Sequence, residues 1–292
     1  YAGSVEIEQE DGSIKHIGIT RIHIEEDAGK SIHDLYDAAT CIDLNRAGIP
    51  LIEIVTEPDL RSGTEVDAFM TGIRQLVRYL QISDGNMEEG SLRCDVNISI
   101  RPKGTDILNN RCEVKNVNSM KFARQAIEFE ELRQQKIVEK GGIVAQQSLN
   151  FDPATGVTSP LRSKEDAHDY RYFPDPDLAP FHLTDTFIES IQKKLPTLPA
   201  SLKKQWKTAY DLSDYAIVQF VVDKVVADFY MEWAATCKHY KAIANWMIGP
   251  IRAAVNEGSL SFQQLSKLIP YLVELIELVE TNQLSFSVAS TR

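Results

Sequence analysis

The chain has 292 residues, of which 43% are hydrophobic and 25% charged, and its formal net charge is −11. This composition is typical of a globular protein with room for one large domain or two ordinary ones. It argues against broad, sequence-independent binding of nucleic acid, which needs a basic surface, but it is compatible with a local groove for one RNA end. No apolar run approaches the roughly 18 residues that a membrane-spanning helix needs.

The cysteines show neither CxxC pairs nor regular spacing, so we expect reduced thiols in a cytoplasmic protein. They are Cys41, Cys94, Cys112 and Cys237. The first fifteen residues contain no basic stretch followed by an apolar one, as a secretory signal would. They are typical of a strand entered midway, and we expect the chain to begin inside a domain.

Alternating apolar and polar residues predict strands through the first third of the chain. In residues 17–27, Glu26 shares a face with two isoleucines, whereas Glu25 lies on the opposite, polar face. In residues 51–57, Glu53 stands inside an otherwise apolar run. Carboxylates thus occur within strands rather than only in loops.

Two further strands are predicted at residues 91–101 and 111–117. Asp95 lies on the polar face of the first, and Glu113 and Lys115 share one side of the second. Both strands therefore present charged groups on a face opposite to an apolar one.

Amphipathic helices are predicted between these strands. Apolar residues recur at spacings of three and four in residues 64–80. Ser119 is placed to cap a second long helix, which ends at the glycine pair 141–142. Strands with one face on helices and one polar face predict an α+β domain with an open sheet.

The pattern changes after about residue 150. Residues 151–180 are rich in Pro, Asp and aromatic residues, which predicts loop and short strand. From about residue 185 the periodicity is helical, so we place an α+β domain at 1–183 and a helical domain at 184–292. Its helices are expected around residues 215–235, 239–256 and 262–280.

The acidic strand residues are the strongest chemical feature. A carboxylate inside an apolar strand is costly to bury unless a cation or hydrogen bonds compensate it. Mg²⁺, a hard cation that takes oxygen ligands, fits several such groups on one sheet face. The alternatives are a solvated acidic edge, or carboxylates paired with Arg93 and Lys115. The candidate ligands are Glu25, Glu26, Asp27, Glu53 and Asp95.

Arg93 and Asp95 form a second candidate pair, in which the arginine clamps a phosphate and the carboxylate reaches a metal. A salt-bridge ladder along a half-exposed strand is the alternative. The sequence contains neither G-x-x-x-x-G-K-[ST] nor G-x-G-x-x-G. Any ATP site would therefore be a cradle of strands.

Tyr170, Arg171 and Tyr172 combine aromatic and cationic side chains in the loop-rich segment. This pattern is typical of a surface that stacks on the bases of a single-stranded RNA end, here a tRNA end. A rigid loop that packs its aromatic residues onto the domain would show the same pattern.

Together these motifs resemble those of the GatB family, the GatB component of the bacterial aspartyl/glutamyl-tRNA amidotransferase. The segment DLNRAGIPLIEIVTEP at 43–58 resembles the signature of that family. Further blocks agree in order and spacing, at 21–30, 87–97, 113–119 and 169–174. The resemblance extends over the whole chain and is stronger up to about residue 180.

The resemblance implies a fold and a reaction. The fold would be an antiparallel-sheet cradle like the catalytic domain of glutamine synthetase, followed by an all-α domain. The reaction would use Mg²⁺ and ATP to phosphorylate the side-chain carboxylate of Glu on tRNA(Gln) or Asp on tRNA(Asn). Ammonia from the amidase subunit, GatA, would then form the amide, with GatC as the third subunit.

Site residues also follow from the resemblance. Glu26 and Glu53 match the positions of metal ligands, and Glu25 and Asp95 match positions that line the same site. Contacts to phosphate or substrate by the neighbouring charged residues are our own inference. These residues are Arg93, Glu113 and Lys115.

The sequence departs from the family pattern at both ends. The strand bearing G-L-E-V-H, the cysteine-rich stretch that follows it in some members and the tail domain are all expected but not found. We therefore expect a core fragment of a longer subunit. A non-catalytic tRNA-binding scaffold is the main alternative function, and a metal-dependent nuclease is a weaker one.

Overall fold

The chain divides into two compact units in a computed structural model. The first unit is Tyr1–Ile73 with Met87–Ala167, and the second is Arg74–Asn86 with His168–Arg292. Residues 74–86 thus belong with the later part of the chain, which a single division at residue 183 does not foresee. The structure describes residues 3–36, 38–161, 179 and 181–290.

The first unit is built from short strands and two long helices. Helix α1 is Gly63–Tyr79, whose last turns belong to the second unit, and helix α2 is Met120–Glu139. The described strands are Gly3–Glu8 (β1), Ile14–Glu26 (β2), Lys30–Tyr36 (β3), Ala39–Asp43 (β4), Pro50–Thr56 (β5), Cys94–Ile98 (β6), Cys112–Val117 (β7), Gln147–Asp152 (β8) and Val157–Pro160 (β9).

Within the described residues these strands form three sheets, in the orders β1-β2-β5, β3-β4 and β6-β7-β8-β9. Every pairing is antiparallel except that of β7 with β8, which is parallel. Helix α2 connects β7 to β8, and such a crossover returns the chain in its original direction. The α+β class is confirmed, but the expected purely antiparallel sheet is wrong at this pair.

The β6–β9 sheet has one face on α2, as the alternation predicts. Ser119 is the N-cap of this helix and accepts a hydrogen bond from the Phe122 amide. The helix ends before Gly141, which has a φ of 74°. The buried residues of this core are Val96, Cys112, Val114, Val117, Ala123, Ala126, Ile127, Val144, Leu149 and Phe151.

The ribbon formed by β2 and β5 is different, because its apolar side chains are not buried. Ile24 is 85% exposed, Ile22 is 59% exposed and Ile52 is 50% exposed. No described residue covers them, so the expectation that the apolar face of each strand packs on a helix fails here. The prediction was correct only for the sheet that α2 covers.

The second unit is helical throughout its described residues, and aromatic side chains fill its core. Trp206 contacts Phe220 and Tyr230 with its ring edge. The helices after residue 183 are Asp185–Gln192 (α3), Pro199–Thr208 (α4), Asp214–Val221 (α5), Lys224–Thr236 (α6), Tyr240–Trp246 (α7), Arg252–Asn256 (α8), Phe262–Ser266 (α9), Ile269–Glu280 (α10) and Phe286–Ala289 (α11).

Each of the three long helices predicted here is interrupted. The first breaks at Asp223, which caps α6. The second contains a π-helical turn, Met247–Ile251, because Pro250 has no amide hydrogen for the regular ladder. The third breaks before Pro270, at the start of α10. None of the helices in the described residues is both long and apolar enough to cross a membrane.

A buried carboxylate joins α2 to the sheet. Glu130 is fully buried and accepts hydrogen bonds from Arg133 at 2.7 and 2.8 Å, from Gln134 at 3.1 Å and from the Thr158 hydroxyl of β9. Burial raises the pKa of Glu130, but the hydrogen bonds from Arg133, Thr158 and Gln134 outweigh it, and the net pKa is lowered. The ionised form is therefore the one that stabilises the fold.

We expect Glu130→Gln to lower the free energy of opening of α2 by about 2–4 kcal/mol at neutral pH, because it leaves Arg133 without its counter-charge. Since the folded pKa lies below the usual 4.5, this stability is complete above pH 4.5 and is lost as the pH falls through the folded pKa. Native-state hydrogen exchange of the α2 amides at several pH values measures both effects.

Glu128→Gln is the matched control, because Glu128 makes an exposed pair with Arg124 on the same helix. Its loss should change the free energy of opening by about 0.5 kcal/mol or less. An equal effect of the two substitutions, or a cost at Glu130 that is independent of pH, would contradict this account.

Candidate functional site

The register of β2 with β5 decides which charged groups share a face. His23 lies opposite Glu53, Glu25 lies opposite Leu51, and Glu26 lies opposite Pro50. Because directly paired residues point to the same side, His23, Glu25 and Glu53 share one face. Glu26 lies on the other face, with the exposed isoleucines.

Glu53 is half-exposed, contrary to the burial that its apolar neighbours predict. Its Oε2 atom lies 3.4 Å from His23 Nδ1 and 3.9 Å from an Arg21 nitrogen, and 47% of its side chain is exposed. In the described structure no helix covers either side of this ribbon. The carboxylate therefore has polar neighbours and solvent, and burial alone does not require a cation.

The predicted metal ligands are only partly brought together. Across the described residues no group of three or more His, Cys, Asp or Glu side chains is placed to hold a metal ion. Glu25 and Glu53 share a face, whereas Glu26 lies on the opposite face. One or two carboxylates are what Mg²⁺ usually takes from a protein, so the pair fits this ion. The role of each residue as a ligand stays a prediction.

Asp27, directly after β2, is the centre of a charged cluster that joins three segments. Its Oδ2 atom accepts hydrogen bonds from Arg46 Nε at 2.7 Å and from an Arg93 terminal nitrogen at 2.5 Å. Its side chain is 13% exposed, whereas those of Arg46 and Arg93 are 38% and 57% exposed. The hydrogen bond from Arg46 is the main cause that holds the pKa of Asp27 below its ordinary value.

The backbone fixes the same cluster. The amide of Asp27 donates to the carbonyl of Ile49 at 2.8 Å, and the Gly48 amide donates to the carbonyl of Asp27 at 2.9 Å. The turn that carries Arg46 is thus held against the end of β2. Sequence reasoning gave Arg46 no role, although the acidic end of a strand is a signal that a cation lies nearby.

Lys115 lies between two carboxylates on the polar face of the β6–β7 pair. Its ammonium is 3.4 Å from Asp95 and 3.2 Å from Glu113, whose other oxygen accepts a hydrogen bond from Ser148 at 2.9 Å. Burial lowers the pKa of Lys115, but Asp95 and Glu113 outweigh it, so the pKa is raised and the ammonium stays charged. The shared polar face of these residues is confirmed.

The described contacts give Arg93 and Asp95 different partners. Arg93 bonds to Asp27, and Asp95 pairs with Lys115. These contacts match the alternative in which strand carboxylates are compensated by Arg93 and Lys115. The roles of both residues toward phosphate or metal stay predictions. Tyr170, Arg171 and Tyr172 lie outside the described residues.

Comparison with known proteins gives the family. Residues 1–189 match the family model described as the GatB/GatE catalytic domain. The chain belongs to the GatB/GatE family. The match includes the β2–β5 ribbon, the Asp27 cluster and Lys115 with its partners, so these features lie within the region that defines the family.

Several curated relatives are named as the GatB subunit of aspartyl/glutamyl-tRNA(Asn/Gln) amidotransferase. The one from Thioalkalivibrio sulfidiphilus is 46% identical over 98% of this chain. The proteins from Acidiphilium cryptum and Pseudomonas fluorescens (strain Pf0-1) are 46% and 45% identical over 99% and 98% of this chain. This GatB/GatE-family chain spans about 60% of the length of these relatives, with 60%, 59% and 60% covered.

We expect the double substitution Asp95→Asn with Glu113→Gln to bring the pKa of Lys115 below its ordinary value. With both carboxylates removed, the lowering effect of burial acts alone. Nuclear magnetic resonance of ¹³C-methylated lysines over a pH titration measures this pKa, with Lys115→Arg to assign the signal. An unchanged Lys115 pKa would show that the two carboxylates do not interact with it.

Proposed function

We propose that this chain is the subunit of a tRNA-dependent amidotransferase that activates a carboxylate with Mg²⁺-ATP and forms the amide. The substrates would be Glu on tRNA(Gln) or Asp on tRNA(Asn). Membership of the GatB/GatE family is the observation that carries this proposal. The names of relatives that match nearly all of the chain support it.

The chemistry has two steps that balance. A carboxylate is a poor acyl donor, so one of its oxygens first attacks the γ-phosphorus of ATP and ADP leaves. Ammonia then attacks the carbonyl carbon of the acyl phosphate, and inorganic phosphate leaves with the bridging oxygen while a proton is lost. When bound, Mg²⁺ would bridge the nucleotide phosphates and neutralise charge that develops on them.

Residues of this chain would hold and orient the reacting groups. Glu25 and Glu53 supply oxygen ligands on one face of the ribbon, and Glu26 is proposed as a ligand by its match to the family motif. On the other sheet, the charged ammonium of Lys115 fits a contact with phosphate or with the substrate carboxylate, oriented by Asp95 and Glu113.

The partners belong to the same proposal. Ammonia is to come from an amidase subunit (GatA) with a small third subunit (GatC) in a cytoplasmic heterotrimer. The cradle resembling glutamine synthetase, followed by an all-α domain, is proposed as its architecture. The aromatic and cationic residues at 170–172 are proposed to hold the tRNA end.

A tRNA-binding scaffold is the second candidate. It is favoured by the half-exposure of Glu53 and by its pairing with His23, which give this carboxylate a role without a metal. The two functions differ in nucleotide binding, because a scaffold needs none.

We expect the protein, purified with the subunits that accompany it, to bind Mg²⁺-ATP in isothermal titration calorimetry. Glu53→Gln should weaken this binding at least about tenfold, because a lost ligand to a bound cation costs more than about 1.4 kcal/mol. Glu25→Gln should act in the same direction.

The control is Glu128→Gln, which removes one exposed carboxylate of the same unit and should leave binding within about twofold. If the wild-type complex bound charged tRNA but no nucleotide, the scaffold would be the better account. If Glu53→Gln bound Mg²⁺-ATP normally, the metal assignment would fail even though the kinase activity could stand.

A further inference from the structure

The geometry points to a phosphate-binding site made by Arg46 and Arg93, with Asp27 as the residue that positions both guanidinium groups. Both arginines bond to the same oxygen atom of Asp27. Two cations on one carboxylate leave a formal charge of about +1 at this place, on a chain whose net charge is −11.

Asp27 is saturated by these contacts. Its Oδ1 atom accepts the Ala28 amide at 3.1 Å, and Oδ2 accepts both arginines. Its backbone amide and carbonyl are bonded to the turn at residues 48–49. The carboxylate therefore has a structural task, and it fixes the guanidinium groups in place.

The arginines, in contrast, retain donors. An arginine has five N–H groups. The recorded bonds from the Arg46 side chain, taken over the described residues, use only Nε, and Arg93 uses one terminal nitrogen and a long bond of 3.4 Å from Nε to the Gly90 carbonyl. Both side chains are partly exposed, so their remaining N–H groups are open to a ligand from solvent.

The loops that present the two arginines are also held in place. Gly48 has a φ of 78° and its amide bonds to Asp27, and the Ile49 amide bonds to the Arg46 carbonyl at 3.1 Å. Gly90 has a φ of 74° and its amide bonds to the Met87 carbonyl at 3.2 Å. Glycine is the residue that adopts such φ values without strain. Little ordering is then left for binding, which favours affinity.

Two adjacent, fixed guanidinium groups fit the oxygens of one phosphate, to which arginine donates in parallel pairs. The phosphate can come from a nucleotide or from a tRNA backbone. This inference deepens the proposed function, and its nucleotide source rests on that function. The site itself rests only on the contacts of the three residues.

The test uses the protein purified with its accompanying subunits, and inorganic pyrophosphate is the first probe in isothermal titration calorimetry. Arg46→Gln and Arg93→Gln should each weaken binding about tenfold or more. Arg46→Lys should recover only part of the loss, because it keeps the charge and loses the planar fork. Arg124→Gln, which removes an exposed, singly paired arginine of the same unit, should stay within about twofold.

Asp27→Asn separates a positioned site from a merely positive one. A positioned site binds pyrophosphate more weakly in this variant, because the guanidinium groups lose their common anchor. A merely positive patch binds it more tightly, because one negative charge is gone, and that result would overturn the role of Asp27. Circular dichroism of each variant checks that the fold is kept.

Further titrations distinguish the phosphate source. A loss by Arg46→Gln in Mg²⁺-ATP binding assigns the site to the nucleotide, and a loss in charged-tRNA binding assigns it to the RNA. Wild-type protein that binds pyrophosphate through Arg46 but binds no ATP would retain this site and overturn the kinase function. Pyrophosphate binding that is absent, or unchanged in both glutamine variants, would overturn the site.

Discussion

The antiparallel register between β2 and β5 fixes the chemistry on both sides of the ribbon. With His23 opposite Glu53, the carboxylates of Glu25 and Glu53 lie on one face, and Glu26 lies with the exposed isoleucines on the other. A shift by one residue would exchange the two sets, because side chains alternate along a strand. The β2–β5 ribbon continues into the cluster at Asp27, so the same register also sets where Arg46 meets the end of β2. An oxygen-rich face for a cation and a pair of arginines for an anion thus arise from neighbouring parts of one strand pairing.

Charge compensation within the first unit has two forms, and they differ in what remains for a ligand. At Lys115 one cation faces two carboxylates, so the group is held and stays protonated. At Asp27 two cations share one carboxylate, so positive charge is left over. Phosphoryl transfer from ATP to a carboxylate needs cations that stabilise phosphate oxygens and a metal held by carboxylates. The first unit, which lies within the region matched by the GatB/GatE family, offers both kinds of group.

Much of the local structure was predictable from the sequence, and the reasons are physical. The Ser119 cap, the face shared by Glu113 and Lys115, and the helix-covered core of the β6–β9 sheet follow from alternation and capping within short segments. Pairing between distant segments does not. Alternation correctly separated Glu25 from Glu26, but only the register shows that Glu53 lies on the side of Glu25. Arg46 was missed because its contact with Asp27 joins residues 19 apart through a turn. The exposure of Glu53 was mispredicted because apolar neighbours along a strand do not tell whether a helix covers it.

The central claim is that a substrate carboxylate is activated by phosphorylation, and an isotope measurement tests it most directly. Glu-tRNA(Gln) labelled with ¹⁸O in the side-chain carboxylate is incubated with ATP, Mg²⁺, glutamine and the amidotransferase, and the released phosphate is analysed by mass spectrometry. The account predicts one ¹⁸O atom in inorganic phosphate for each amide formed, because the bridging oxygen leaves with the phosphate. Amide formation with unlabelled phosphate, or with ¹⁸O in AMP, would contradict it.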